Sequence, residues 1–148
     1  DGPFGTGSGF ELTNGNCLQR RLGGGSAGNE ATVDNLFTRY PSATQYDNFR
    51  NRLEHGPGLN DSVHCLVGGT MCSARAANDP VFFLHHAMVD KIWARWQDLS
   101  EVHRSAYTGE ISRDELMPAS PYTPGDLLDM RHLPGGAAGG FVEIRYEE

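Results

Sequence analysis

Residues 78–97 read NDPVFFLHHAMVDKIWARWQ, and they constrain the fold of this chain more than any other stretch. Asp79 has the short acceptor side chain of a helix N-cap, and Pro80 suits the first helical turn. Val89, Ile92, Trp93 and Trp96 follow at spacings of three and four, which predicts a long helix with one apolar stripe. Two adjacent histidines, His85 and His86, sit near its head. An imidazole is costly to bury unless something pairs with it. His86 shares the side of Val89 and Trp93, whereas His85 lies about 100° away around the helix. The two rings therefore serve different purposes.

Other elements are read by the same signals. Ala31 to Arg39 is helical, with Val33, Leu36 and Phe37 on one stripe. Gln45 to Glu54 is a second helix, because Tyr46, Phe49 and Leu53 share a face, and HGPG stops it. Asn60, Asp61 or Ser62 caps a short helix through Val67 that Gly68-Gly69 ends. Gly9 to Thr13 and Leu18 to Leu22 are candidate short strands, GGGSAGNE is a loop, and Thr123-Pro124-Gly125-Asp126 starts a short helix ending near Arg131. After Ser105 the chain loosens into a proline-containing loop. PGGAAGG then turns into FVEIRYEE, which alternates like a terminal strand. No internal repeat is present, and 148 residues fit a single domain with a real core.

A net charge of −7 argues against a nucleic-acid partner, which asks for a basic face. No apolar run approaches the ~18 residues that cross a bilayer, so no membrane partner is expected. The abrupt opening at Asp1 is what a processed or truncated chain would show. Of three cysteines, Cys17, Cys65 and Cys72, at least one is free or pairs with another chain. Cys65 and Cys72 are close enough for a disulfide, for soft metal ligation, or to remain reduced thiols. They leave the compartment open; a secreted or extracellular setting is the expectation.

Six histidines remain to be explained. Neutral imidazole is the commonest ligand for zinc, copper and iron, and two helices that each present an inward histidine can hold one ion. His64 and His86 are the best candidates, since both fall in apolar helical patterns. A lone helical histidine is nonetheless more often a hydrogen-bonded core residue, and pattern alone does not separate the two cases. His103 and His132 lie in polar surroundings and are expected to be solvated. His55, at a helix end, is expected to favour the helix dipole.

These residues resemble a known family. NDPVFFLHHAMVDKIWARWQ is similar to the second copper-binding (CuB) signature of the type 3 copper proteins: tyrosinases, catechol oxidases and molluscan hemocyanins. Asp79-Pro80, Phe82, His85-His86, Asp90 and Trp93 carry the match. YDNFRNRLEHG, VHCLVGGTM, DGPF, CLQRRLG and PGDLLDMR extend it over nearly the whole chain, closest to the compact bacterial-type tyrosinases. The resemblance implies a mainly α fold: part of a four-helix bundle, with the CuB helix pair, short peripheral strands and long loops. It also implies two coppers in the complete family site, each held by three histidines, and oxidation of phenols or catechols to quinones. By motif, His64 and His86 would be copper ligands, Phe82 would pack beside the substrate, and His85 would support the site. Glu54 would be the acidic residue that helps deprotonate phenol. Copper needs soft or imidazole ligands, and a base helps because phenols ionise near pH 10.

Two departures from the family pattern matter. The position four before His64, where another histidine ligand belongs, is Asn60, and the asparagine that usually follows is Asp61. Asp61 could reach the same face, but as a harder carboxylate ligand. Asn60-Asp61-Ser62 is also a glycosylation sequon, expected to be unused because a sugar there would be incompatible with a closed copper site. Second, nothing in residues 1–54 resembles the first copper site (CuA), and no histidine precedes His55. Residues 1–148 thus resemble the C-terminal, CuB-bearing half alone, with at most one copper site. The predicted partner is a second chain carrying the CuA half, or another copy in a homo-oligomer. Without it, helices 46–54 and 79–99 are expected to expose apolar surface. Three functions follow: a subunit or fragment of a phenol oxidase, a pseudoenzyme whose copper site was lost at Asn60, or an oxygen carrier of the hemocyanin kind.

Overall fold

A computed structural model describes residues 17–147. The candidate strand at Gly9–Thr13 lies outside the described residues. The fold is mainly α. Helices α1 (Glu30–Arg39), α2 (Tyr46–His55), α3 (Asn60–Val67), α4 (Pro80–Gln97) and α5 (Glu101–Ser105) are joined by loops and 3-10 turns. Two-residue strands β1 (Leu133–Pro134) and β2 (Phe141–Val142) form one antiparallel pair, with Leu133 opposite Val142. The predicted terminal strand is therefore confined to Phe141 and Val142. The predicted helix from Thr123 is a single 3-10 turn at Gly125–Leu127, although Thr123 and Asp126 do form a reciprocal cap.

The chain divides into two compact units. The first runs up to Arg39 and resumes over Arg50–Asp90; the second comprises Tyr40–Phe49 and Lys91 onward. The chain passes between them within α2 and within α4.

In the first unit, the N-cap of α3 is Leu59, which supplies no side-chain cap. The expected caps Asn60, Asp61 and Ser62 all lie inside the first turn, where their side chains are engaged elsewhere. Gly68 closes the helix as expected. Its φ of 65° is left-handed, and its N–H returns to the His64 carbonyl. The remaining orphan carbonyls explain why Leu18–Leu22 is not a strand. Arg21 N–H donates to the Val67 carbonyl and Gly23 N–H to the Leu66 carbonyl, so this segment satisfies a helix end. Gly25 lies so close to α3 that any Cβ would overlap the Ser62 carbonyl and the Leu66 amide, which accounts for one glycine of GGGSAGNE.

Asp79 caps α4 as predicted, accepting the Val81 N–H at 2.9 Å. It is also fully buried and held by Arg20 through Nε at 2.9 Å and Nη2 at 2.7 Å. That bidentate pair ties the segment before α1 to the start of α4.

In the second unit, Trp96 and Phe49 are fully buried and stack at 4.8 Å between ring centroids, with Tyr46 tilted against Trp96 at 5.5 Å. Trp96 Nε1 donates to the Tyr40 carbonyl at 3.1 Å. Gln97 is buried too, donating to the Leu128 carbonyl at 2.8 Å. The expectation that α2 exposes its apolar face does not hold: Tyr46, Phe49 and Leu53 are all buried. On α4 it holds for the first half only: Phe83, Leu84 and Met88 are 63%, 74% and 56% exposed, whereas Ile92 and Trp96 of the predicted stripe are buried. Among the described residues no helix is long and apolar enough to cross a membrane.

Candidate metal centre

Helices α3 and α4 carry the central histidines. Asn60 and His64 are four apart on α3 and share a face; His85 and His86 lie in the second turn of α4. The helices bring His64 Nε2 to 3.1 Å from His86 Nε2. His64 Nδ1 lies 2.8 Å from the Met71 carbonyl oxygen. A carbonyl can only accept, so Nδ1 bears the proton, and Nε2 of the neutral ring turns a lone pair toward His86. Donation of one ring N–H to a backbone carbonyl is how ligating histidines are commonly oriented.

His85 does something else. Its Nε2 donates to Asn60 Oδ1 at 3.0 Å, while Asn60 Nδ2 donates to Asp61 Oδ1 at 3.2 Å. The other oxygen of Asp61 accepts from His55 Nδ1 at 2.7 Å. His55 Nε2 lies 3.7 Å from Glu54 Oε2, which Arg50 holds at 2.9 Å. Both polar atoms of the Asn60 amide are thus engaged within the cluster. Phe82 completes the wall, with its ring centroid 4.1 Å from that of His86 and edge-on to His64 at 5.9 Å.

Burial, and then repulsion by His64, hold His86 below the ordinary imidazole value. Burial is also the main cause at His85, with His64 and His86 adding to it and the Asn60 bond opposing. Both rings are therefore biased toward the neutral form that binds metal.

Two nitrogens bound at about 2.0–2.1 Å to one ion lie roughly 2.9–3.4 Å apart at ordinary coordination angles. The His64–His86 spacing fits that range. The set does not close further: among the described residues no group of three or more His, Cys, Asp or Glu side chains is placed to hold a metal ion. The carboxamide of Asn60 faces the cluster where an imidazole was expected, and it is engaged by His85.

Beside His64, Cys65 forms a disulfide with Cys72, and Cys17 is free and exposed. Residues 8–99 match the family described as the common central domain of tyrosinase. The chain belongs to the tyrosinase family. It is 39% identical over 153 residues to a tyrosinase of Streptomyces lincolnensis, covering 87% of this chain and 54% of that protein. With a tyrosinase of Streptomyces antibioticus it shares 35% over 139 residues, 84% of this chain and 45% of the relative. Hemocyanin 1 of Megathura crenulata is 36% identical over 103 residues, 65% of this chain and 3% of that protein. The chain thus spans about half the length of the bacterial tyrosinases it matches.

Of the residues singled out in the sequence, the fold gathers His64, His86, His85, Asn60 and Phe82 around one point. Glu54 and Asp61 join them through His55 and Asn60. Sequence reasoning missed the Met71 carbonyl, because a backbone acceptor has no side-chain signal. It also missed Arg20 as the partner of Asp79.

Proposed function

We propose that this chain is the CuB-bearing part of a tyrosinase-type copper oxidoreductase, which oxidises phenols or catechols to quinones together with a CuA-bearing chain. The observation that carries this reading is the 3.1 Å approach of the His64 and His86 imidazoles, with His64 oriented by the Met71 carbonyl. His64 and His86 would hold one copper, which when bound supplies one-electron redox chemistry and, in a complete family site, the reaction with dioxygen. Phe82 lies against His86 and shields that side from water, presenting an aromatic face to a phenolic ring. Glu54 and Asp61 flank His55, so a phenol proton taken by either carboxylate is shared with the imidazole between them. The exposed Phe83, Leu84 and Met88 on α4 form the face for the partner chain, with a second copy of this chain as the other occupant.

A second reading is favoured by one observation. Asn60 donates and accepts within the cluster as a settled hydrogen-bonding residue, which suits a pseudoenzyme that kept the scaffold for binding. Copper analysis separates the two. The oxidoreductase reading expects one copper per chain at His64 and His86, no quinone from a catechol with this chain alone, and quinone once a CuA-bearing chain is added. Asn60→His is then expected to raise copper affinity about tenfold or more. A folded chain that takes up no copper, and gains none with Asn60→His, supports the pseudoenzyme.

A further inference from the structure

We propose that the Cys65–Cys72 disulfide is a positioning device for His64, which makes the hold of this site on a metal ion dependent on the redox state of that bond. The inference comes from register. Cys65 directly follows His64, and Cys72 directly follows Met71. The oxygen that accepts from His64 Nδ1 belongs to the peptide unit joining Met71 to Cys72, so it is attached to the cross-linked residue. The ring of His64, the Met71–Cys72 peptide and the disulfide therefore form one small closed circuit, with the two cysteine Cα atoms 4.7 Å apart.

Before the accepting carbonyl, the turn is held independently. Thr70 N–H donates to the Gln19 carbonyl at 2.8 Å, Gln19 N–H donates to Thr70 Oγ1 at 3.0 Å, and the Met71 side chain is fully buried. After it, Cys72 and Ser73 are exposed. There Ser73 is anchored through its hydroxyl to the Thr70 carbonyl at 2.7 Å and by the Arg75 and Ala76 N–H groups, while the tie on Cys72 itself is the cross-link. Once the cross-link is cut, the Met71–Cys72 peptide loses its covalent tie to α3, and rotation of that peptide withdraws the acceptor from Nδ1. His64 then loses the bond that fixes its tautomer and keeps Nε2 bare toward His86. Cys72 is open to attack. A dithiol breaks the S–S bond to give two thiols and closes to its own cyclic disulfide, so electrons and protons balance.

The metal half of this proposal rests on the copper reading above, and the His64 half does not. The test therefore reads each half separately, in a Cys17→Ser background that removes the competing thiol. Nitrogen-15 NMR of the metal-free chain follows the His64 Nδ1–H resonance with the disulfide intact and in Cys65→Ala/Cys72→Ala. We expect a protected Nδ1–H in the first and its loss, or a mixed tautomer, in the second, while amide dispersion elsewhere is retained. Zinc, as a redox-silent probe, is expected to bind the double variant about tenfold or more weakly. If the double variant does not fold, dithiol reduction of the folded parent and its reoxidation give the same comparison, with recovery of the resonance expected. An unchanged His64 resonance without the disulfide overturns the proposal. A lost resonance with no zinc bound to either chain upholds the positioning role and removes the metal reading.

Discussion

His64 in the first unit and His103 in the second make an instructive pair. Each has one ring nitrogen against a backbone carbonyl: Met71 for His64, and Pro41 for His103 at 3.1 Å. They differ at the other nitrogen. His103 Nδ1 accepts from the Ser100 hydroxyl at 2.7 Å, and its ring stands edge-on to Trp96 at 4.5 Å. Its hydrogen-bonding capacity is used up by ordinary protein partners. At His64 the second nitrogen meets another imidazole, an approach that two neutral rings can satisfy with one proton between them or with one shared cation. Burial would not mark the proposed ligand, since His103 is the more buried of the two. The chemistry of the last partner would.

The largest effects should come from exchanging these roles. His64→Ala is expected to weaken copper binding by at least about 100-fold, since loss of a ligand exceeds loss of an orienting group. Because His64 is only half-buried, its unfolding midpoint should move little. His103→Ala should do the reverse. It removes a buried ring packed edge-on to Trp96 together with its bonds to Ser100 and Pro41, costing about 2–4 kcal/mol in urea unfolding with copper affinity unchanged. If both substitutions shift both readouts together, the distinction fails.

A smaller effect is expected at the Arg20–Asp79 pair, which shapes the head of the histidine helix. Asp79→Asn should cost about 2–3 kcal/mol, allowing for the partly exposed arginine. The hydrogen bonds from Arg20 are the main cause holding the Asp79 carboxyl below its ordinary range. The unfolded chain therefore takes up the proton first as pH falls. The stabilisation is full above the ordinary carboxylate value and is lost as pH drops through the depressed one. Urea midpoints measured down the acid range should fall more steeply for the parent chain than for Asp79→Asn.

Legibility from sequence followed the physics of each signal. The long helix was readable because Asp79, Pro80 and the stripe through Ile92 and Trp96 all announce it locally. The caps of α3 were not, because Asp61 and Asn60 are drawn to His55 and His85, partners that only the fold supplies. Polar neighbours in sequence predict a solvated His103, yet it is buried. Its neighbours in space, Trp96 and Pro41, lie seven and 62 residues away. The disulfide stayed undecided, since a separation of seven suits closure, metal ligation or free thiols equally. The departure at Asn60 is visible through the family resemblance, which implies an imidazole four residues before His64 and needs no tertiary information to compare.

The smallest effect on the isolated chain is expected on the open face of α4. Phe83, Leu84, Ala87 and Met88 fall at spacings of one, three and four and are all exposed, whereas Ile92, Ala94 and Trp96 on the same helix are buried. Leu84→Lys should therefore leave the unfolding free energy within about 0.5 kcal/mol of the parent, as for any substitution away from packed groups. Its effect should appear only in association. Sedimentation velocity of the parent with a CuA-bearing chain should show a complex that Leu84→Lys abolishes, because a lysine ammonium would have to be desolvated in an apolar interface. A drop in monomer stability of several kcal/mol would mean that this face is covered in the free chain, and the partner would then have to bind elsewhere. Loss of association at unchanged stability would instead tie the exposed half of α4 to assembly and the buried half to folding.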